Sequence, residues 1–226
     1  MALPDLLEMD LVAGAEDWSP TPHGIFMAEV LAGDNVVRGK EVLELGGGLG
    51  NHTIILVRQG AKRVVTTEIG ASRAETTRRN VEANCPGATN VEYRVADWLN
   101  TDGVFDIVVS APPFAKSGKR NRRYFIDALI LNAHKRLRPD GVVVFVQSSM
   151  ADIPKTQLRL EENGFDHEIV ESTKGPFRDY YFEDKSFMEE IKNVPDGYEV
   201  RDGTHYETLV VIKARLSPWT PPEGAH

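Results

Sequence analysis

Val42-Leu43-Glu44-Leu45-Gly46-Gly47-Gly48-Leu49-Gly50-Asn51-His52-Thr53 is the stretch on which the reading of the fold turns. An apolar run enters a loop with four glycines, and a helix-like segment over 53–58 leaves it. Glycine lacks a Cβ and tolerates positive φ, so backbone amides in such a loop can approach a ligand closely. The spacing narrows the choice of ligand. A G-x-G-x-x-G dinucleotide fingerprint fails from either start, because its third glycine would fall at Asn51 or Thr53. The phosphate-loop pattern G-x-x-x-x-G-K-[ST] is absent from the chain. The pattern present is E-x-G-x-G-x-G, formed by Glu44, Gly46, Gly48 and Gly50. The plain alternative is a strand-to-helix turn that holds no ligand.

Composition sets the class. The chain has 226 residues, 41% of them hydrophobic and 27% charged, enough apolar material for one domain with a sizeable core. A net charge of −8 argues against broad, nonspecific nucleic-acid binding, which needs a basic face. Cys85 alone cannot close an intrachain disulfide, and no Cys/His cluster has zinc spacing, so no metal is expected. The opening MALPDLLEMDLVAG carries Asp5, Glu8 and Asp10 and no basic segment, unlike a secretory signal. Apolar runs are strand-sized, far short of a membrane span. These features predict a cytoplasmic protein with no membrane partner.

Strand and helix patterns alternate along the chain. A helix within the N-terminal segment 1–33 is expected to start at Pro22 and end at Gly33. Strands are expected over 41–45, 63–67, 90–95, 105–109, 141–147, 167–171 and 205–214, with helices over 124–137 and 154–163. Such alternation predicts an α/β fold, a twisted and mostly parallel sheet with helices on both faces. Asn51 is expected to cap the helix after the glycine loop. Glu68 follows the second strand, where a carboxylate can accept both ribose hydroxyls of a nucleoside. The segment 172–204 is too long for a simple connection. It carries Arg178-Asp179-Tyr180-Tyr181-Phe182-Glu183-Asp184 and a helix pattern over 185–192, and reads as a lid on a single catalytic domain, 1–216. The Pro-rich 217–226 reads as a disordered tail, and the run Lys116, Lys119, Arg120, Arg122, Arg123 as a solvated loop.

The glycine loop, Glu68, Asp97 and Ser110-Ala111-Pro112-Pro113-Phe114 occur in an order that resembles the class I S-adenosylmethionine (SAM) dependent methyltransferases over about residues 40–150. Within that superfamily the proline turn resembles motif IV of the HemK-like, nitrogen-directed branch, [N/D/S]-P-P-[Y/F/W]. The resemblance implies a Rossmann-like, seven-stranded sheet with an antiparallel final strand, and SAM as cofactor. It implies Glu44, Gly46, Gly48, Gly50, Glu68, Asp97, Trp98 and Ser110 as cofactor-binding residues, with Asp97 on the exocyclic amine of adenine and Trp98 against its ring. It places the helix 22–33 beside the active site, His23 and Phe26 on the substrate side, and Phe114 over the target group.

One departure matters. Where nitrogen-methylating relatives carry Asn or Asp as a hydrogen-bond acceptor for the target, this chain has Ala111. Three functions follow. The first is methyl transfer to a small-molecule, amine or amino-acid-like acceptor held by the lid and the Pro112 carbonyl, with proximity doing most of the work. The second uses SAM alone: its amine attacks its own γ-carbon, releasing methylthioadenosine and azetidine-2-carboxylate. The A-P-P-F turn and the R-D-Y-Y-F-E-D run resemble the SAM-cyclising azetidine-2-carboxylate synthases. The third is a noncatalytic SAM-binding protein. Tyr180, Tyr181, Ser110 and Pro112 are the expected catalytic groups. Adjacent helical residues point about 100° apart, so at most one of the two tyrosines should face a ligand. The expected partner is a small molecule, with no nucleic acid.

Overall fold

The computed structural model describes residues 7–14, 20–113 and 122–217. Phe114, the Lys116–Arg120 part of the basic run and nearly all of the expected tail lie outside the described residues. The chain builds α1 (Pro22–Gly33), β1 (Glu41–Leu45), α2 (Asn51–Arg58), β2 (Arg63–Glu68), α3 (Ala71–Asn84), β3 (Val91–Val95), β4 (Phe105–Ser110) and α4 (Tyr124–Asn132). A 3₁₀ turn (Ala133–Arg136) leads into β5 (Leu137–Ser148). Then follow a second 3₁₀ turn (Ser149–Ala151), α5 (Ile153–Glu162), β6 (Phe165–Pro176), α6 (Asp179–Glu183), α7 (Lys185–Ile191), β7 (Glu199–Arg201) and β8 (Thr204–Leu216).

The sheet runs β3-β2-β1-β4-β5-β8-β6, with β7 paired only to β8. β1 to β5 are parallel to one another, and β8 is antiparallel to both β5 and β6. The order reverses between β1 and β4, and ligands of open α/β sheets bind outside the carboxyl ends of strands at such a point. Leu45 pairs with Ser110 there, so the glycine loop and the proline turn leave the sheet side by side.

Both faces of the sheet are covered. Val42, Val109, Val144, Val146 and Val211 pack with Phe26, Met27, Leu31, Ile55 and Leu56 of α1 and α2. Leu43, Val108, Val143, Phe145 and Ile212 pack with Ile126, Leu129, Ile130 and Leu160 of α4 and α5. Successive strand residues point to opposite faces. Strands buried on both faces therefore read as unbroken apolar runs, as Val142-Val143-Val144-Phe145-Val146 does. A third, smaller core of Met150, Phe177, Tyr181, Phe187 and Ile191 fastens α6 and α7 down.

Three local expectations change. Gly50, at φ 88°, is the N-cap of α2, and Asn51 is the first helical residue. A left-handed cap position suits glycine, which pays no Cβ penalty there. The helix expected over 124–137 stops at Asn132, because Leu137 already pairs with Phe105 in the sheet. The eighth strand, β7, forms a hairpin with β8 through Asp202 (φ 48°) and Gly203 (φ 79°).

Gly47 has no room for a side chain: an added Cβ would lie 2.3 Å from Thr66 Oγ1 and 3.0 Å from Thr77 Cγ2. Gly47→Ala is expected to destabilise the fold by about 1–3 kcal/mol, the usual range for overpacking, read as a lowered urea midpoint with an unchanged denaturant slope.

Candidate active site

The glycine loop is tied to β2 before it reaches any ligand. The amides of Gly46 and Gly47 both donate to the Thr67 carbonyl at 3.0 Å, and the Gly50 amide donates to the Gly47 carbonyl at 2.8 Å. From α3, Thr77 Oγ1 donates to the Gly48 carbonyl at 2.7 Å and Asn80 Nδ2 to the Leu49 carbonyl at 2.9 Å. Gly46 (φ 79°) and Gly48 (φ 56°) differ from Gly47, since a Cβ on either would meet nothing within 4 Å. Their backbone borders open space at the switch point, which fits a cofactor laid across the loop.

Glu44 does not reach that space. It is 1% exposed and accepts a hydrogen bond from Thr53 Oγ1. His52 Nδ1 lies 3.6 Å from its Oε1, while His52 Nε2 is 2.8 Å from the Gly24 carbonyl. Glu44 therefore ties β1 to α2, and His52 ties α2 to the first turn of α1. Glu68 is 8% exposed and accepts from the Gly48 amide at 2.6 Å. Burial pushes its carboxyl upward, and the Gly48 amide and the Arg73 charge pull against that.

Asp97 is exposed just beyond β3. Trp98 beside it is held at φ 52°, strained for a bulky residue. Its ring lies tilted on Phe125 with centroids 4.9 Å apart. Asp97, Trp98, Asn100, Tyr124 and Phe125 line a cavity of about 360 Å³.

At the end of β4, Ser110 is fully buried and donates to the Leu45 carbonyl at 3.3 Å. Its hydroxyl braces β4 against β1, although a catalytic and cofactor-binding role was expected of it. Ala111 packs against the core on the α1 face, Pro112 is buried and Pro113 is exposed.

A polar cluster on that same face was only half expected. His23 Nε2 lies 3.6 Å from Glu207 Oε2, and Tyr181 Oη donates to Glu207 Oε1 at 3.4 Å. The two tyrosines diverge as helical spacing requires: Tyr181 is 1% exposed and Tyr180 39%. Phe26, 7% exposed, belongs to the core beside the cluster. Glu207 was missed. Its signal was a lone carboxylate two residues before the apolar Leu209-Val210-Val211-Ile212 run of β8. Burial raises the Glu207 carboxyl to about 7, against the pull of the Ser148 hydroxyl, the Arg178 charge and Tyr181. Burial, helped by the Arg178 charge, lowers His23 to about 4, so it is neutral at pH 7. Gln147, at the end of β5 and 1% exposed, has no hydrogen bond to its side-chain amide among the described residues.

These shifts oppose each other in folding. Glu207 holds its proton more tightly in the folded state, so its share of stability falls as pH rises from 4.5 to about 7. The share of His23 rises with pH between about 4 and 6.5. With Arg178, Tyr180 and Tyr181 left in place, Glu207→Gln should make stability climb with pH across that window, and His23→Gln should make it decline. Urea midpoints at the two ends of the window, compared with the wild type, check both signs.

The fold and this geometry agree with what the chain resembles. The family model for the methyltransferase small domain matches residues 25–177. A provisionally named protein N5-glutamine methyltransferase of Methanocaldococcus jannaschii is 28% identical over 180 residues, covering 73% of this chain and 88% of the relative. The ribosomal RNA large subunit methyltransferase K/L of Aliivibrio salmonicida is 28% identical over 169 residues, covering 69% of this chain but only 23% of that longer protein. The structure of the Thermus thermophilus 16S rRNA N2 G1207 methyltransferase with AdoMet and guanosine superposes with a TM-score of 0.52 at 24% identity, over 89% of this chain and 44% of that one. These names carry a protein side chain and ribosomal RNA. They overturn the expectation of a small-molecule partner with nucleic acid excluded. Among the described residues no helix is long and apolar enough to cross a membrane. With its family model matched over more than half its length, the chain belongs to the methyltransferase small domain family, and is a SAM-using enzyme of the class I methyltransferase fold.

Proposed function

We propose that this enzyme transfers the SAM methyl group to a nitrogen of a macromolecule, a protein side chain before an RNA base. The observation that carries the reading is the pairing of Leu45 with Ser110, which sets the proline turn beside the glycine loop at the switch point. The acidic chain, at net charge −8, favours protein over RNA as the acceptor. Support also comes from the M. jannaschii relative, whose name specifies a protein glutamine.

The roles follow from position. Gly46 and Gly48 offer Cβ-free backbone to the cofactor, and Glu68 exchanges its Gly48 amide for ribose hydroxyls. Asp97 takes the adenine amine and Trp98 lies along the ring, its strained backbone fixing the indole beside the cavity. SAM supplies a methyl group already activated by the sulfonium, so the protein need only align the acceptor nitrogen with it and exclude water. Pro112 and Pro113 stiffen the turn that bounds the acceptor position. The α6–α7 segment, fastened by Tyr181, Phe187 and Ile191, is the cover.

Two measurements test this. Glu68→Ala is expected to weaken SAM binding at least about tenfold by calorimetry; unchanged affinity removes Glu68 from the cofactor site. Incubation with methyl-tritiated SAM and separated protein and RNA fractions of a cell extract should label the protein fraction, in protease-sensitive form. Label confined to RNA would replace the acceptor class. Ala111 makes a control with SAM alone necessary, since no side-chain oxygen there awaits a second substrate. Methylthioadenosine and a four-carbon cyclic amino acid in that control would overturn methyl transfer.

A further inference from the structure

We propose that Glu207, seated with Tyr181 and His23 under α6, receives the target nitrogen, and that this nitrogen is an amine and not an amide. The proposal rests on the methyl-transfer reading and names its acceptor class.

Position comes first. Ser148, at the end of β5, pairs with Leu209, and Glu207 lies two residues further along β8 toward the ligand-bearing edge of the sheet. Side chains alternate along a strand, so Glu207 shares its face with Leu209 and Val211. Those two belong to the α1-side core, against which Ala111 also packs. The carboxyl and the vacated motif IV position thus lie on one face, near one edge, with His23 of α1 between layers.

The chemistry is that of an acceptor without its donor. Glu207 is 3% exposed, and its Oε2 is buried with no hydrogen bond among the described residues. Its Oε1 has the 3.4 Å contact to Tyr181 Oη, which is long for an O–H···O bond, and the Ser148 hydroxyl is the other neutral group that favours its charge. No lysine or arginine lies within ion-pair distance of it among the described residues; the basic group paired with it is His23 at 3.6 Å. A buried carboxyl left in this state costs stability, and a ligand that donates to it would recover that cost.

The surroundings suit a cation. Phe177 lies 5.6 Å from Tyr181, 5.5 Å from Tyr198 and 5.4 Å from His205 between ring centroids. The Arg178 guanidinium sits 5.0 Å over Tyr180 and 5.8 Å over Tyr181, a cation–π contact at the rim of this aromatic cluster. An amide acceptor needs both a hydrogen-bond acceptor for its N–H and a donor for its carbonyl. A carboxylate offers acceptors only, which matches the N–H groups of an amine.

An amine arrives protonated and cannot attack until it loses a proton. The Glu207 carboxylate takes that proton from R–NH₃⁺. The freed lone pair of R–NH₂ forms the N–C bond to the methyl carbon as the C–S bond breaks and its electrons return to sulfur. A carboxyl raised to about 7 by burial is matched to this exchange near neutral pH. Arg178, Tyr181 and neutral His23 are the other titratable groups facing it, and Tyr180 acts on it only through Tyr181.

The test is binding to the full chain saturated with S-adenosylhomocysteine, with n-butylamine and butyramide as probes, followed by amide chemical shifts in NMR titrations. Butylamine is expected to bind at least about tenfold more tightly than butyramide, and Glu207→Gln to remove that preference. Equal binding of the two probes, or undiminished amine binding in Glu207→Gln, overturns the proposal. If that variant does not fold, the wild-type pH dependence decides. Amine affinity that falls away below a midpoint near 7 supports Glu207 as its partner, and affinity flat between about pH 5 and 9, where butylamine stays charged, overturns it. Failure of S-adenosylhomocysteine itself to bind is a different result: it removes the cofactor reading, and the proposal with it.

Discussion

Two amides, those of Gly46 and Gly47, share the single carbonyl of Thr67. That fork fixes where the loop after β1 turns, and the rest of the site is measured from it. Gly47 can lie this close to β2 only without a side chain, because Thr66 and Thr77 fill the space a Cβ would take. Once Gly47 is seated, Gly48 presents its amide to Glu68 and Gly50 starts α2. α2 in turn places His52 against Gly24, and so sets the first turn of α1, with His23, over the edge of the sheet. A contact of backbone with backbone thus positions a side chain some twenty residues upstream.

The same edge carries an opposite kind of economy. Apolar packing of β8 drives Glu207 under α6, where desolvation works against its charge. His23 beside it is forced neutral by the same burial. Two groups that pair as ions in water are held as a weakly polar couple, balanced so that a small change in charge nearby shifts both. Such a couple adds little to stability, and its place in a close-packed layer at the edge where ligands bind suits a use there.

Much of the fold was legible because burial on both faces leaves no choice of residue. Val142-Val143-Val144-Phe145-Val146 can be little other than an interior parallel strand, and the glycine loop marks the strand before the switch point. Ends were less legible. Whether residues 133–137 continue a helix depends on Leu137 pairing with Phe105, a long-range contact with no local sign. The hairpin at Asp202-Gly203 did have a local sign, the D-G pair, but Glu199–Arg201 is too short to stand out by alternation. Glu44 and Ser110 show the limit for the site. Both occupy motif positions, and both are turned inward by neighbours, Thr53 and Leu45, to hold strands and helices together.

By itself the sequence determined the α/β class, the strand that carries the glycine loop, the SAM-dependent family and the loss of the motif IV acceptor at Ala111. These depend on local spacing and on residue types that few conformations tolerate. Tertiary structure alone decided that Tyr181 turns in and Tyr180 out, that Ser110 braces the sheet, and that His23, Tyr181 and Glu207 meet. Those three come from α1, α6 and β8, nearly the full length of the chain apart. They are brought together only when β8 runs antiparallel beside β5 and α1 lies across both, a juxtaposition set by packing of whole layers and written in no short stretch of residues.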